Sequence, residues 1–340
     1  MRYIKMAKYS IILPVRNGGH YLKTCVASIL SQTFTDFNFI ILDNCSTDGT
    51  LEWLYILNDE RIKIIVSEKP LTIEESWGRI TSIEKNEFIT LIGHDDILYP
   101  DFLMVIDRLV INHPQASLYH THFNFIDAKG KIIRACKPMQ QQISGYDFLK
   151  KFLTNSIDAM GTGYVMRAKD YDALQGIPVH YPNLLFADFE LWLNLSLKSY
   201  EVVAAENCFA FRLHKSTTGT SEDKKLHKSL ELFTAFLHRM QQEDVKAKHI
   251  IDEFGSQFLL LFCKGYSHRL LRTPLKNREG LTVGKFIKFT KELATMLGLQ
   301  DKFKPEKIPS IKLAAFIDDN KMLSKLFLSF KKIYSKPVSK

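Results

Sequence analysis

The chain has 340 residues, 46% apolar and 24% charged, which are the values of an ordinary globular protein and argue against a mostly disordered or collagen-like chain. Lys and Arg number 46 against 37 Asp and Glu, and the net charge of +9 admits three kinds of partner: nucleic acid, an anionic membrane surface or a phosphorylated substrate. No run reaches the roughly 18 apolar residues of a spanning helix. Met1–Lys8 does not read as a secretory leader, and the five scattered cysteines (Cys25, Cys45, Cys136, Cys208, Cys263) suit neither a disulfide framework nor a zinc site, so a reducing cytoplasm is expected.

Along the first 125 residues two periods alternate. Ser10–Val15 reads as a strand, and Leu22, Cys25, Val26, Ile29 and Leu30 recur at helical spacing. Strands follow at Phe37–Asp43, Arg61–Ser67, Glu87–Ile92 and Ala116–Phe125. Helices are expected at Asp48–Asn58, capped by Ser46 or Thr47, at Ile73–Lys85, and at Pro100–Asn112 with Pro at its first position. Strands alternating with helices of this length mean βαβ units and an α/β fold built on a mostly parallel sheet. After the Lys129-Gly130 turn the alternation loosens. Gly145–Leu153 and Asp188–Leu197 read as helices, and Val202–Ala205 and Cys208–His214 as short strands. From about Ser221 the pattern is helical, which sets a domain of residues 1–220 against a helical, basic extension of residues 221–340. Residues 301–340 hold ten Lys against four acidic residues.

Ligands of an open parallel sheet bind outside the carboxyl ends of its strands. The first strand ends in Pro14-Val-Arg-Asn17, the second in Asp43-Asn44, the fourth in Gly93-His-Asp-Asp96. Parallel strands bring these ends to one edge, so Asp43, Asp95 and Asp96 can converge there. Adjacent carboxylates after a buried strand call for neutralisation, and Mg²⁺ or Mn²⁺ takes oxygen ligands from carboxylates and phosphate. The plainer alternative is that Asp95 and Asp96 only stabilise a turn. Other phosphate-binding patterns are missing: there is no G-x-x-x-x-G-K-[ST], Gly18-Gly19 is not G-x-G-x-x-G, and Gly161-Thr-Gly163 lacks the third glycine.

Four segments, in order, carry a resemblance: Ser10-Ile-Ile-Leu-Pro-Val-Arg-Asn17, Ile40-Ile-Leu-Asp-Asn-Cys-Ser-Thr-Asp-Gly49, Ile92-Gly-His-Asp-Asp-Ile-Leu-Tyr-Pro100 and Phe186-Ala-Asp-Phe-Glu-Leu-Trp192. Across residues 9 to about 220 the chain resembles family 2 glycosyltransferases. The resemblance implies a GT-A fold, a nucleotide-sugar donor, a divalent metal, and inversion at the anomeric carbon. It assigns Pro14 and Asp43 to the nucleoside base, Asp95 to the ribose and metal, Asp96 to the metal, and Asp188 to the general base. Arg16 faces either the nucleotide or solvent, and Arg79 falls where the family often places a cation near the diphosphate. Phe211-Arg-Leu-His-Lys-Ser-Thr217 resembles the family's Arg-x-His stretch, so Arg212, His214 or Lys215 could close over the diphosphate and His214 could ligate the metal. Two departures stand out: Gly93 occupies the first position of an Asp-x-Asp-Asp pattern, and Ala187 replaces the Glu before Asp188.

The chemistry asks for little more. An acceptor hydroxyl needs a carboxylate within hydrogen-bond reach, and a metal offsets charge growing on the leaving phosphate. Asp188 also suits a helix N-cap. His94 reads as a turn residue, His120 and His122 as a half-buried pair or an acceptor-groove pair, Leu191 and Trp192 as core, and Trp77 as core or a stacking platform.

The reading is therefore a metal-dependent inverting transferase, by default UDP-sugar dependent. Its acceptor is a glycan or lipid-linked glycan, as in bacterial-type surface polysaccharide synthesis. Its setting is the cytoplasm, on the inner membrane face if residues 301–340 anchor there. The alternatives are a sugar-phosphate nucleotidyltransferase, which wants a glycine-rich first loop, and a catalytically silent glycan- or nucleotide-binding protein. No aromatic-rich basic stripe supports nucleic acid. In residues 301–340 apolar residues recur at near-helical spacing among the lysines, as in a membrane-surface helix or a helix packed on the protein or on a second subunit.

Overall fold

The computed structural model describes residues 7–214 and 223–334; Lys215 and Met1–Met6 lie outside the described residues. The chain divides into two compact units, residues 1–148 with 157–221, and residues 149–156 with 222–340.

The first unit is a sheet flanked by helices. Its elements are β1 (Tyr9–Val15), α1 (Gly19–Leu30), β2 (Phe37–Asp43), α2 (Thr50–Tyr55), β3 (Ile62–Val66), α3 (Ile73–Gly78), β4 (Phe88–Leu91), β5 (Ile97–Leu98), α4 (Phe102–Asn112), β6 (Leu118–Ile126), β7 (Ile132–Ala135), β8 (Gln142–Ser144), α5 (Gly145–Leu153), β9 (Val165–Arg167), α6 (Ala168–Ala173), α7 (Ala187–Lys198) and β10 (Tyr200–Arg212). The strand order is β3-β2-β1-β4-β9-β6-β10-β5, with β7 on β6 and β8 on β10. β3, β2, β1 and β4 run parallel, as do β6 and β10; β9, β5, β7 and β8 pair antiparallel. Near-continuous burial along β1 and β2 is what a sheet covered on both faces requires.

Three registers position the site. Val15 pairs Asp43, and Asp43 pairs Val66, so the ends of β1, β2 and β3 lie in a row. Thr90 pairs Val165 across the antiparallel β4/β9 step, which returns the segment before β9 to the carboxyl end of β4. Ala210 pairs Ile97, so the residues just before β5, Asp95 and Asp96, come beside the end of β10.

Several boundaries differ from those read in the sequence. The second helix is only Thr50–Tyr55, and its cap is Gly49 in the left-handed region (φ 87°), not Ser46 or Thr47. The third ends at Gly78 and tightens into a 3₁₀ turn over Arg79–Ser82. Pro100 precedes the cap Asp101 of α4 and is not its first helical residue. The two expected short strands near 202–214 are one 13-residue strand, β10, whose bulged stretch Ala204–Phe209 absorbs the polar Glu206-Asn207 interruption.

The second unit is helical: α8 (Asp223–Glu243), α9 (Val245–Arg272), α10 (Val283–Met296), α11 (Pro309–Asp319) and α12 (Lys321–Tyr334). Residues 149–156 join it because the Phe152 ring packs 5.6 Å from Phe233 and 5.7 Å from Phe258, and the Lys150 ammonium lies over Phe254. Asp244 caps α9 by accepting from Lys246 and Ala247 N–H. α11 is pinned by a buried ion pair between Arg278 and Asp318, whose second oxygen accepts from Val283 N–H at 2.7 Å. No helix among the described residues is long and apolar enough to cross a membrane.

Candidate active site

Asp43 closes β2 and is fully buried. Its Oδ1 accepts from Ser46 N–H at 3.1 Å, while Oδ2 has no hydrogen-bond partner. A buried carboxylate oxygen left unpaired is costly, and Asp43 Oδ2 keeps its capacity to accept a further donor. The loops around it are tied down. Asn17 Oδ1 accepts from Thr47 N–H at 2.8 Å and Asn17 N–H donates to Ser46 Oγ at 2.9 Å, joining the loops after β1 and β2. Asn44 donates to Leu71 O and accepts from Leu71 N–H. Pro14 is buried within β1; Arg16 is exposed on the loop beyond it.

Arg79 reaches the same edge, but its guanidinium donates to the backbone carbonyls of Asp43 (3.0 Å) and Ile65 (2.9 Å). It braces the ends of β2 and β3 at the Asp43 main chain.

Asp95 and Asp96 divide their work. Asp95 Oδ2 lies 2.5 Å from His214 Nε2, the two side chains 21% and 17% exposed. Asp96 is buried, and both its oxygens are taken: Oδ2 accepts from Thr162 Oγ1 at 2.6 Å and Oδ1 from Arg212 N–H at 3.0 Å. Burial, reinforced by the Asp95 charge, holds the Asp96 carboxyl well above the usual carboxylate range, against the lowering effect of those hydrogen bonds. Of the three metal ligands expected, Asp96 faces Thr162 and Arg212 in this structure, and the more accessible donors are Asp95 and His214. Arg212 is likewise buried and spoken for: Nε donates to Asp95 O (2.7 Å), Nη1 to Asp127 O (3.0 Å), and the guanidinium stacks 4.6 Å from the centre of the Tyr21 ring. It holds the loop of the acidic pair in place.

Among the described residues no group of three or more His, Cys, Asp and Glu side chains is gathered around a metal position. The donor chemistry of Asp95 and His214 still fits a divalent cation, since one carboxylate and one imidazole form a partial set that phosphate oxygens complete.

Gly93 has a steric reason. A Cβ there would come 2.7 Å from Asp95 Oδ1, so an Asp at this position displaces the Asp95 carboxylate.

Asp188 lies in the first turn of α7 and is not its N-cap, a position held by Phe186 at φ 73°. Asn183, Leu184 and Phe186 all have left-handed φ, and this strained approach sets the entry into α7. Burial raises the Asp188 carboxyl to about 6, opposed by the N–H groups of Phe189 and Asp188 itself. Ala187 is fully buried, so a Glu in its place would need a partner; one turn on, the buried Glu190 accepts from the Tyr181 hydroxyl.

Sequence reasoning missed the segment Met160–Gly163, which touches both acidic centres. Met160 O accepts from Trp192 Nε1 at 2.9 Å on α7. A Cβ on Gly161 would lie 3.3 Å from Asp188 Oδ2. Thr162 holds Asp96, and Gly163 N–H donates to Leu91 O at the end of β4. Two glycines just before a short strand were the available signal, read only for nucleotide motifs. Tyr21, between Arg212 and His214, gave none. The remaining residues have structural roles: His120 lies 2.7 Å from Glu201, misaligned for a hydrogen bond, His122 engages Ala205 O and Met139 N–H, and Leu191 and Trp192 are core. His94 is half-buried, and burial lowers its imidazole from the ordinary value. Trp77 is half-buried on α3.

Residues 10–173 match the family model for glycosyl transferase family 2. The chain carries a family 2 glycosyltransferase domain with the GT-A fold. Among curated relatives, glycosyltransferase GlyG of Streptococcus pneumoniae is 26% identical over 123 residues, 36% of this chain and 41% of its own length. The Escherichia coli UDP-Glc:alpha-D-GlcNAc-diphosphoundecaprenol beta-1,3-glucosyltransferase WfgD is 24% identical over 232 residues, 67% of this chain and 86% of its own. In structure the chain is similar to the 1-349 fragment of S. aureus TarS solved with UDP-GlcNAc, with a TM-score of 0.67, 14% identity, and coverage of 96% of this chain and 92% of that one. Residues 10–173 thus carry the glycosyltransferase domain, and the chain spans 41% of the length of GlyG.

Proposed function

We propose that the protein transfers a sugar, with inversion, from a nucleotide-sugar to a hydroxyl of a glycan carried on a lipid diphosphate, in surface polysaccharide synthesis on the cytoplasmic side of a membrane. The observation that carries this reading is the pairing of an unpartnered buried oxygen on Asp43 with a raised carboxyl on Asp188 in one α/β unit. Asp43 Oδ2 accepts an N–H of the donor's base, beside Pro14. Asp188 takes the acceptor hydroxyl proton as the acceptor oxygen bonds to the anomeric carbon and the bond to the diphosphate breaks, its electron pair leaving with the nucleotide. Asp95 and His214 would hold Mn²⁺ or Mg²⁺, whose charge would offset that growing on the departing diphosphate. UDP is the nucleotide of choice because TarS was solved with UDP-GlcNAc and WfgD is named for UDP-Glc, and WfgD's lipid-diphosphate acceptor supports the acceptor class.

The test is a panel of nucleotide-sugars with Mn²⁺, scored first for thermal protection. A bound donor at a hundredfold excess over Kd stabilises by about 2.7 kcal/mol. The protecting donor is then offered to lipid-diphosphate sugars, and the anomeric configuration of the product is read by NMR. Protection by none of the nucleotide-sugars, or a product of retained configuration, overturns the reading.

A further inference from the structure

Helices α11 and α12 bury one side and expose the other. The inward ridge of α11 is Ile311, Ala314 and Asp318; Ser324 of α12 is also buried. The Arg278–Asp318 pair fixes that rotation of α11. Five large apolar side chains remain outward: Leu313, Phe316, Met322, Leu326 and Phe330, between 52% and 66% exposed. On α12, Met322, Leu326 and Phe330 follow one another at i, i+4 and i+8, a single stripe. Lys312, Lys321 and Lys325 are exposed on the same two helices, against one exposed carboxylate, Asp319. A groove of about 300 Å³ opens beside the stripe, lined by Leu313, Ile317 and Phe327 with Arg272 and Lys331 among its walls.

We propose that this face is a docking surface for an anionic phospholipid bilayer, with the apolar stripe entering the headgroup boundary and the lysines on the phosphates. Charge decides between occupants. In a symmetric pairing of two copies the same patch meets itself, which brings lysines toward lysines; an anionic leaflet is complementary to them. Apolar contact with basic flanks is the composition that interfacial helices use. The surface adds to the proposed sugar transfer without depending on it, since its readout is lipid binding.

The test uses the full chain and vesicles of phosphatidylcholine with or without phosphatidylglycerol. The protein is expected to sediment with the phosphatidylglycerol vesicles at low salt and to be released at high salt. Leu326→Gln with Phe330→Gln, both exposed and therefore compatible with folding, should lower the partition at least about tenfold. Lys321→Gln with Lys325→Gln should also lower it, while an unchanged melting temperature in both variants shows that the fold is intact. No sedimentation with anionic vesicles, or equal sedimentation with phosphatidylcholine alone, overturns the proposal. So does a concentration-dependent dimer that Leu326→Gln with Phe330→Gln dissolves in the absence of lipid binding, since a second copy then occupies the face.

Discussion

The Thr162 hydroxyl donates to Asp96 Oδ2 at 2.6 Å, and both side chains are buried. The bond joins the loop after β4 to a segment that also supports α7 through Met160 and leaves room for the Asp188 carboxylate at Gly161. Two acidic centres far apart in the chain are therefore held by four consecutive residues.

Thr162→Val is nearly isosteric and removes only the donor. A buried acceptor left without its partner costs about 1–3 kcal/mol, so the variant should melt lower and turn over more slowly. Thr162→Ser, which keeps the hydroxyl, should restore both. Wild-type melting and turnover in Thr162→Val would show that the bond positions nothing.

With Asp188 as the base, Asp188→Asn should lose about 10²–10⁴-fold in kcat while binding donor as before. The pH profile carries the same assignment. A base of pKa about 6 is protonated below that value, so the wild-type rate should fall about tenfold per pH unit on the acid side. An acid limb centred near 4, the ordinary Asp range, would move the role to another group.

The same carboxyl has a stability consequence of definite sign. Its pKa is about 6 folded against 3.8 for the ordinary group, so the folded state holds the proton more tightly. Stability from this group is fully present below the unfolded value and is lost as pH rises through about 6. Asp188→Asn should therefore melt higher than wild type at pH 8, with the gain gone at pH 4. Half-burial discounts the gain to roughly 1–2 kcal/mol. Calorimetry at the two pH values checks it, and a variant less stable at pH 8 than wild type contradicts it.

His214→Asn and Asp95→Asn should each raise the Mn²⁺ concentration needed for half-maximal donor protection by about tenfold or more. Both measurements read binding and need no turnover. If neither variant moves that midpoint, the cation is held elsewhere.

The alternation of β1–β4 with α1–α3 was legible because β1, β2 and β4 are buried runs, β3 is an apolar segment between polar loops, and α1 has a stripe of its own. The placement of Asp43 and Asp95 after the ends of β2 and β4 was legible for a related reason: parallel pairing carries strand ends to one edge. The short antiparallel strands β5, β7, β8 and β9, two to four residues each, fall below any window over which a period can be counted. Thr162 and Tyr21 were hidden with them, because only the β9 register and the α1 packing bring them to the acidic loop. Arg79 and Arg212 were found as cations, but residue type cannot tell a guanidinium aimed at a ligand from one folded onto main-chain carbonyls.

The missing Cβ at position 93 has a consequence for sequence change. Because a side chain there displaces the Asp95 carboxylate, and that carboxylate is the one facing His214, restoring an acidic residue at 93 does not simply add a third carboxylate to the pair. It asks the Asp95 carboxylate to turn while its other oxygen faces His214. A side chain at position 93 and the Asp95–His214 contact therefore draw on the same small space.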